Sequence, residues 1–429
     1  MKLLLYSWKA NNEQILADNL SKMGFEVLWF CKECRHYTRD MELAMEMIPF
    51  IHSREVEAVV SFNYFPIVSM ICSTCRIPYY AWVYDCPHFT LYAKQITLPC
   101  NHIGIFDREM VRRLEDYGVE TVYDVPLSVD AAYFAGRIME AEPAEKKKYQ
   151  CDISFVGSLY TGEYDYYEKL FAGSEPSAVA FGTSQGRETE RISSFTEIRA
   201  AIERQCFSYR RDHLRQSVIE GRIDLNGIRK HMEEQGLMLG EDYFASPEDI
   251  LLAAVLEKRV TVEERRILLT EAAKRFAHGF KTEQNGIGVG RTDRGFDFRL
   301  YTGSDTKGLP ELAVLNRGTV DYHTQMPLVF AGSRINLNIS LRSIHSGIPL
   351  RVLDIMACGG FVLSNWQPEI AACFAEGVEI VTFDSLEDCL AKTAYYLSHE
   401  EERRQIAANG QKKVQEKFSY QIGLDRLFG

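Results

Sequence analysis

The chain has 429 residues, of which 46% are hydrophobic and 25% are charged, and its formal net charge is −11. This length exceeds what a single hydrophobic core usually serves, so two domains are expected. The excess of negative charge argues against a general nucleic-acid or acidic-membrane binder, although a local site can still hold an anion. The first apolar run is too short for a signal-peptide core and no later run has spanning length, so the sequence predicts a cytoplasmic protein without a membrane segment.

The first third of the chain alternates between apolar strand patterns and amphipathic helix patterns. Strands separated by helices of this length form right-handed crossovers and an open parallel sheet. The predicted strands are residues 2–7, 25–30, 57–62, 79–84, 102–106 and 121–127, and the predicted helices are residues 12–24, 65–77 and 108–118.

The same region contains two cysteine pairs with zinc-like spacing, Cys31 with Cys34 and Cys72 with Cys75. The 37 residues between the two pairs lie outside the usual spacing of a zinc ribbon. We therefore interpret the cysteines as reduced core residues and predict no metal site.

The stretch 136–150 is rich in charge and lacks apolar periodicity, so it is interpreted as an exposed connection between domains. It separates a first domain, residues 1–140, from a second domain, residues 150–410. Residues from about 160 to 260 have helical patterns and few strand patterns, which predicts a helical insertion in the second domain.

After this insertion the strand and helix patterns alternate again up to about residue 418. The glycine-dense loop 285–295 falls between a helix and a strand, the reverse of the order that a dinucleotide fingerprint needs, so we interpret it as a flexible excursion. The predicted fold class is therefore α/β, with two doubly wound parallel sheets. Such sheets bind ligands at the carboxyl ends of their strands, so the ligand is expected in a cleft between the domains.

The stretch SGIPLRVLDIMACGGFVLSN, residues 346–365, combines a polar loop, a helix entered at Pro349 and a strand. A helix N-terminus after a strand is a ready phosphate site, and Gly347 would let a ligand approach the backbone. Arg342 and Arg351 would add donors to a diphosphate. Asp354, one turn further, would accept the two hydroxyls of a ribose.

The alternative for Arg351 and Asp354 is an ordinary solvated ion pair. On local spacing alone that arrangement is the commoner one. The residues around the pair are nearly all apolar, however, which favours a pair that faces a cleft.

Residues 346–370 resemble the donor-binding signature of GT-B glycosyltransferases of the glycogen-synthase-like group. Together with WVYDCPHFTLY, DISFVGSLY, VDYHTQMPLVF and INLNISLRSIHSGIPLRVLDIM, they are similar to bacterial glycosyltransferases related to the spore-maturation protein CgeB. This resemblance implies a GT-B fold of two Rossmann-like domains, with residues 411–429 forming a terminal helix that packs back on the first domain.

The resemblance also implies roles for single residues of the second domain. Asp354 takes the position of the acidic residue that binds the donor ribose, and Ser346 stands where many relatives have a glutamate. The positive charge for the diphosphate would come from Arg342, Arg351 or a residue of 257–266. The remaining implied donor-binding residues are Gly347, Gly157 and Ser158 in the first strand-to-helix loop, and Gly318 and Val320 beside the base.

In the first domain, YDCPH follows a predicted strand at a position where related enzymes present a polar residue to the transferred sugar. Asp85 is therefore the first candidate for a catalytic or acceptor-side role, as a general base or as a contact to a sugar hydroxyl, and His88 is the second. A plain turn in which Asp85 caps its own backbone is an alternative of similar weight. Asn63 also ends a strand, as an acceptor-side residue or as a turn asparagine.

The sequence thus predicts a metal-independent glycosyltransferase that moves a sugar, with retention, from a nucleotide diphosphate sugar to an acceptor hydroxyl. A UDP-sugar is the first choice of donor, no cofactor beyond the donor is expected, and the acceptor is a glycan, a protein or a small molecule. No Asp-x-Asp motif lies at a strand end to hold a metal. Two alternatives stay open: a nucleotide-sugar epimerase or hydrolase, and a non-catalytic nucleotide-sugar-binding protein, which the serine at 346 favours.

Overall fold

The structure is a computed structural model that describes residues 1–86, 88–161, 242–244, 257–277 and 295–429. Most of the predicted helical insertion and nearly all of the glycine-dense loop lie outside the described residues. In the described part of the chain, no helix is long and apolar enough to cross a membrane. The cysteines of this part, including Cys31, Cys34, Cys72 and Cys75, are free thiols.

The first domain is built on a six-stranded parallel sheet in the order β2-β1-β3-β4-β5-β6. The strands are β1 Lys2–Ser7, β2 Glu26–Cys31, β3 Ala58–Phe62, β4 Tyr79–Val83, β5 Asn101–Ile105 and β6 Val122–Asp124. The helices are α1 Glu13–Lys22, α2 Met41–Arg54, α3 Pro66–Cys75 and α4 Arg108–Asp116, with short 3-10 helices at Phe89–Tyr92 and Lys94–Thr97. Only α2 was missed by the sequence analysis; Pro49 lies inside it, which weakens its helical pattern.

The second domain carries a five-stranded sheet in the order β11-β10-β9-β7-β8, and all its pairings are parallel. Its strands are β7 Cys151–Val156, β8 Phe298–Tyr301, β9 Ser333–Asn338, β10 Val362–Asn365 and β11 Val381–Phe383. Its helices among the described residues are α7 Glu257–Phe276, α8 Pro310–Ala313, α9 Met326–Gly332, α10 Leu350–Ala357, α11 Pro368–Cys373 and α12 Leu386–Ser398. The numbers α5 and α6 belong to the two helices that connect the domains.

Two helices, α5 Ala131–Glu140 and α6 Pro143–Tyr149, connect the domains. The predicted exposed connection is therefore helical. Phe134 and Tyr149 anchor it, because both rings are buried in the same apolar cluster as helix α9. Four of the charged side chains between them are exposed, and the half-buried Arg137 pairs with Glu145. The sequence shows no apolar periodicity here because each helix is short and buries mainly one aromatic ring.

An apolar core joins the two domains. Phe106 and Leu127, which follow strands β5 and β6, belong to one buried cluster with Val352 and Leu353 of helix α10. Burying large side chains from both domains together contributes about 2 kcal/mol for each. The carboxyl ends of the two sheets are therefore held against each other.

The chain ends in two helices, α13 Glu400–Lys417 and α14 Tyr420–Phe428. Helix α14 returns to the first sheet, where Leu424 and Leu427 are buried with Trp82. The hydroxyl of Tyr123 donates to the carbonyl oxygen of Leu427 at 2.6 Å, which fixes the end of the helix. Gly423 makes this approach possible, since a Cβ atom there would stand 2.4 Å from the Trp82 ring and 2.5 Å from Ser128 Oγ.

We expect Gly423→Ala to destabilise the protein by about 1–3 kcal/mol, because the added methyl group overpacks this contact. Gly136→Ala is the matched control, since it also lies in a helix but has no atom within 4 Å of the new Cβ. Alanine should be neutral there or stabilise by up to about 1 kcal/mol. Urea unfolding measures both, and equal effects would contradict the packing of α14 described here.

Candidate donor and acceptor sites

A buried carboxylate joins the carboxyl-terminal edges of the two sheets. Asp107, 1% exposed, caps helix α4 by accepting from the Met110 N–H at 3.1 Å. The same carboxylate accepts from the loop after strand β9: from the N–H groups of His345 at 2.6 Å and Ser346 at 3.2 Å, and from the Ser346 hydroxyl at 2.9 Å. Two N–H groups of the loop that precedes the predicted phosphate-binding helix thus bind a carboxylate of the other domain.

Ser346 lies between two acidic side chains. Its hydroxyl oxygen stands 2.9 Å from Asp107 and 2.7 Å from Glu369 Oε1, and it also accepts from the Glu109 N–H at 3.1 Å. One hydroxyl carries one proton, so it cannot donate to both carboxylates at once. Burial raises the pKa of Glu369, which favours a protonated carboxyl group there. Ser346 is therefore part of the junction between the domains.

Gly347 belongs to the same junction. A Cβ atom there would stand 2.7 Å from the Phe106 ring and 2.8 Å from the Phe106 carbonyl oxygen. Its missing side chain thus allows the first domain to approach, where the sequence analysis expected a ligand to do so.

Asp354 is 1% exposed, in the middle of helix α10. The Tyr322 hydroxyl donates to its Oδ1 at 2.9 Å, and the Arg351 guanidinium lies 3.4 Å from its Oδ2. Burial raises the pKa of Asp354 to about 6, against the opposing effects of Arg351 and Tyr322. The carboxylate is thus shielded from solvent, and a ribose hydroxyl would reach it by replacing the Tyr322 hydroxyl.

Tyr322 also contacts the first domain. The Asn12 side-chain amide, just before helix α1, donates to the Tyr322 hydroxyl at 3.2 Å. The neighbouring His323 Nε2 lies 2.7 Å from the carbonyl oxygen of Asn11. Asp354 is therefore linked through one tyrosine to the opposite side of the cleft, a role that the sequence analysis missed although it quoted the motif that contains Tyr322.

A cavity of about 520 Å³ opens at the carboxyl ends of strands β7 and β8. Three of the predicted donor-binding residues line it: Gly157, Ser158 and Val320. Gly318 lies two residues before Val320, with a φ of +78° that suits glycine. The opposite wall is the stretch 301–305, which sequence reasoning missed, although polar residues directly after a buried strand were a usable signal.

The Arg265 side chain lies on the other side of this cavity, beside Ser158 and Tyr160. It comes from helix α7, is 8% exposed, and donates to the carbonyl oxygens of Ile339, at 2.6 and 3.1 Å, and Ser158, at 2.5 Å. Its guanidinium carbon also lies 5.3 Å from the centre of the Tyr160 ring. Burial lowers the pKa of Arg265, since its charged form is costly in this environment.

Among the described residues, no carboxylate lies within ion-pair distance of Arg265. The two arginines proposed by name from the sequence differ in this respect. Arg342 binds Glu264, with Nε at 2.7 and 2.9 Å from the two carboxylate oxygens, and Arg351 pairs with Asp354. Arg265, within the predicted stretch 257–266, is thus a buried cation that contacts carbonyl oxygens and the Tyr160 side chain and has no carboxylate within ion-pair distance among the described residues.

A second cavity, of about 710 Å³, opens at the carboxyl ends of the first four strands of the first domain. Asn63, Asp85 and His88 all line it. Asn63 adopts the left-handed conformation with φ +60°, and its amide donates to Asp85 Oδ2 at 2.6 Å while its carbonyl oxygen accepts from the Asp85 N–H at 3.1 Å. Asn63 is therefore both a turn residue and a lining residue of the cavity. Its hydrogen bonds orient the exposed side chain of Asp85.

The His88 imidazole lies in the wall of this cavity. Its Nε2 is 3.0 Å from the carbonyl oxygen of Tyr64. Burial lowers the pKa of His88, so the neutral ring is favoured at neutral pH. Over the part of the chain that is described, no three His, Cys, Asp or Glu side chains are grouped so that they could hold a metal ion.

Residues 287–428 match the family model described as glycosyl transferase-like. None of the curated protein sequences compared with the chain matches it. The fold is similar to that of a glycosyltransferase from Rickettsia africae, with a TM-score of 0.51 and 10% identity over 99% of this chain and 96% of that one.

Two further structures are similar. One is Alr3699/HepE from Anabaena in complex with UDP-glucose, with a TM-score of 0.52 and 8% identity over 100% of this chain and 98% of that one. The other is a sucrose-phosphate synthase from Thermosynechococcus elongatus, with a TM-score of 0.51 and 10% identity over 99% of this chain and 97% of that one. At such identities the likeness establishes the fold alone, which is the GT-B fold of two Rossmann-like domains. The family match and this fold together support a glycosyltransferase.

The buried Asp354 predicts a dependence of stability on pH. Its pKa in the folded protein, about 6, exceeds the ordinary value of 3.8, so the stability that its protonated form supplies is full below about pH 4 and is lost as the pH rises through 6. For this fully buried group the loss amounts to about 3 kcal/mol. Between about pH 4 and pH 7 the wild type should therefore lose about 3 kcal/mol of unfolding free energy, whereas Asp354→Asn should not show this loss. Urea unfolding at several pH values measures this difference, and a constant difference would contradict a buried titrating carboxyl group.

Proposed function

We propose that the chain is a glycosyltransferase that moves a sugar from a nucleoside diphosphate sugar to an acceptor hydroxyl. The donor would occupy the cavity at the ends of strands β7 and β8, and the acceptor the cavity that contains Asp85. The proposal includes membership of the CgeB-related group, on the motifs quoted above. The observation that carries it is Arg265, a buried cation beside the donor cavity without a carboxylate partner in the described chain.

The donor diphosphate would balance the charge of Arg265. Burying a guanidinium is costly unless an anion is near, because hydrogen bonds to carbonyl oxygens offset only part of its desolvation free energy. Ser158 contacts the guanidinium through its carbonyl oxygen and lines the cavity, so a diphosphate bound at Gly157 and Ser158 would lie close to this charge. An arginine placed in this way would stabilise the leaving diphosphate, and we therefore propose transfer without a metal.

Asp354 would bind the ribose of the donor. In the structure its Oδ1 accepts the Tyr322 hydroxyl, a geometry that a ribose hydroxyl reproduces. Binding would then exchange one hydroxyl for another, without leaving the carboxylate unsatisfied. UDP-glucose, bound in the Anabaena relative, makes UDP the first nucleotide to test.

In the transfer step the acceptor oxygen forms a bond to the anomeric carbon while the bond from that carbon to the diphosphate oxygen breaks. The bonding electrons leave with the diphosphate. With retention, the outcome proposed here, the leaving phosphate oxygen takes the acceptor proton and Asp85 holds a hydroxyl of the sugar. With inversion, Asp85 itself would take that proton, as a general base oriented by Asn63.

Nucleotide binding tests the donor site directly. Isothermal titration with UDP, GDP, ADP, CDP and dTDP should show that at least one of them binds, and Arg265→Met should weaken that binding at least tenfold, or about 1.4 kcal/mol. Arg275→Met is the control, because Arg275 lies on the same helix with an exposed side chain and should leave the affinity unchanged. Equal affinities of the Arg265 variant and the wild type would contradict the proposed diphosphate site.

Asp85→Asn separates chemistry from donor binding. The amide keeps the shape of the side chain but loses its charge, so turnover should fall by about a hundredfold or more while the nucleotide affinity stays within twofold. Steady-state kinetics and the same titration measure the two effects. Asp18→Asn, an exposed change on helix α1, is the control, and unchanged turnover of Asp85→Asn would exclude a catalytic role for Asp85.

A further inference from the structure

Residues 242–244 lie against the first domain although they belong to the second domain's insertion. The Asp242 carboxylate accepts from the Arg39 guanidinium at 2.9 and 3.0 Å and from the Thr38 hydroxyl at 3.1 Å. Its carbonyl oxygen accepts from the Lys94 N–H at 2.8 Å. These contacts come from two separate segments of the first domain, so the position of the tripeptide is fixed on both sides.

Tyr243, in the middle of this tripeptide, lines the acceptor-side cavity. Its backbone forms an antiparallel bridge with Ala93, and the next residue, Phe244, donates its N–H to the carbonyl oxygen of Tyr92 at 3.0 Å. The second domain thus contributes an aromatic side chain to a cavity that is otherwise built from the first.

Other aromatic side chains line the cavity as well. Trp8 and Tyr37 are each 37% exposed, and both lie beside the buried Phe65 ring, at centroid distances of 6.5 and 6.1 Å. Trp8 is held in place because its indole N–H donates to the Phe62 carbonyl oxygen at 2.9 Å and its backbone N–H donates to the Glu13 carboxylate at 3.0 Å. The cavity therefore offers rigid ring surfaces before any ligand binds.

The charges of the cavity disfavour an anionic ligand. Asp85 and Glu33 bring two carboxylates to its lining, and of its two lysines Lys32 is already paired with Glu42 and Glu46. This leaves Lys9 as the lining cation outside an ion pair in the described chain. A phosphorylated acceptor would meet more negative than positive charge here.

Aromatic walls beside hydrogen-bonding groups suit a pyranose ring. One face of such a ring carries C–H groups that pack on the negative face of an aromatic ring. Its hydroxyl groups need polar partners, which Asn63 and Asp85 supply. A wholly apolar chain would displace water from the exposed Asp85 carboxylate without replacing its hydrogen bonds, at a cost of about 1–3 kcal/mol.

We propose that Tyr243 determines acceptor specificity, and that the acceptor presents a neutral pyranose ring that packs against Tyr243, Tyr37 and Trp8 and directs a hydroxyl to Asp85. This inference rests on the proposed transferase function, because it identifies the acceptor of that reaction. It also assigns a role to the described part of the insertion, which completes the wall of the acceptor cavity.

Saturation-transfer NMR tests the inference without donor or turnover. The probes are methyl glucoside, methyl galactoside, methyl mannoside and methyl N-acetylglucosaminide, with glucose 6-phosphate as the anionic probe and octanol as the apolar one. At least one methyl pyranoside should bind, more tightly than glucose 6-phosphate or octanol. Tyr243→Ala should weaken it at least fivefold, whereas Tyr243→Phe should stay within twofold because the ring is kept.

Two further variants make the result decisive. Tyr37→Ala should weaken the same pyranoside and lies outside the insertion, so local unfolding around residue 243 cannot explain both losses. Tyr395→Ala, an exposed tyrosine on helix α12, should change nothing. Absence of pyranoside binding, a preference for glucose 6-phosphate or octanol, or equal affinity in Tyr243→Ala would overturn the inference. The affinity of the same variants for nucleoside diphosphates should match that of the wild type. A loss of pyranoside binding with unchanged nucleotide affinity would therefore concern the acceptor site alone, and not the donor site of the proposed transferase.

Discussion

The arrangement of the molecule depends on the Asp107 carboxylate. It lies out of water at the junction of the two sheets and accepts four hydrogen bonds, one from its own helix and three from the loop after strand β9. A carboxylate has about four lone-pair positions, so this group is saturated. Because its donors come from both domains, the carboxyl-terminal edges of the sheets meet at a fixed point, and the two cavities open near those edges. The apolar cluster around Phe106 and Val352 reinforces that contact.

Two of the charged groups that the second domain buries are Asp354 and Arg265. Asp354 has a tyrosine hydroxyl and an arginine as partners, and its raised pKa shows that they offset only part of the cost of burial. Arg265 has carbonyl oxygens and ring faces in place of an anion. Groups in such positions lower the stability of a free protein and are typical of sites where a ligand supplies the missing charge or hydrogen bond. Both lie on elements that border the cleft, as a donor with a ribose and a diphosphate would require.

The sequence predicted most of the fold because its evidence is local. Apolar runs separated by amphipathic helices identify two parallel sheets. Asn63 was found from its strand-end position, whereas Gly157, Ser158, Val320 and Asp85 came from the family resemblance; the structure places all five on cavities. The missed contacts are long-range. Asp107 and His345 are separated by 238 positions, so nothing in the local pattern could show that the loop before helix α10 binds a carboxylate of the first domain. The sequence analysis recognised that Ser346 stands where many similar glycosyltransferases have a glutamate. Its position between two acidic side chains, however, results from the packing of the two domains and could not be predicted locally. Arg265 was confined to a ten-residue stretch because a helix pattern does not say which side chain faces a cavity.

Glycosyl transfer itself is the most direct test of the account. The protein is incubated with UDP-glucose, then with other nucleoside diphosphate sugars, and a neutral pyranoside acceptor, and the mixture is analysed by mass spectrometry. We expect an acceptor heavier by one glycosyl residue, formed in equal amount with the released nucleoside diphosphate and absent with Asp354→Ala. Consumption of donor to free sugar without any glycosylated acceptor, or no consumption of any donor, would contradict it.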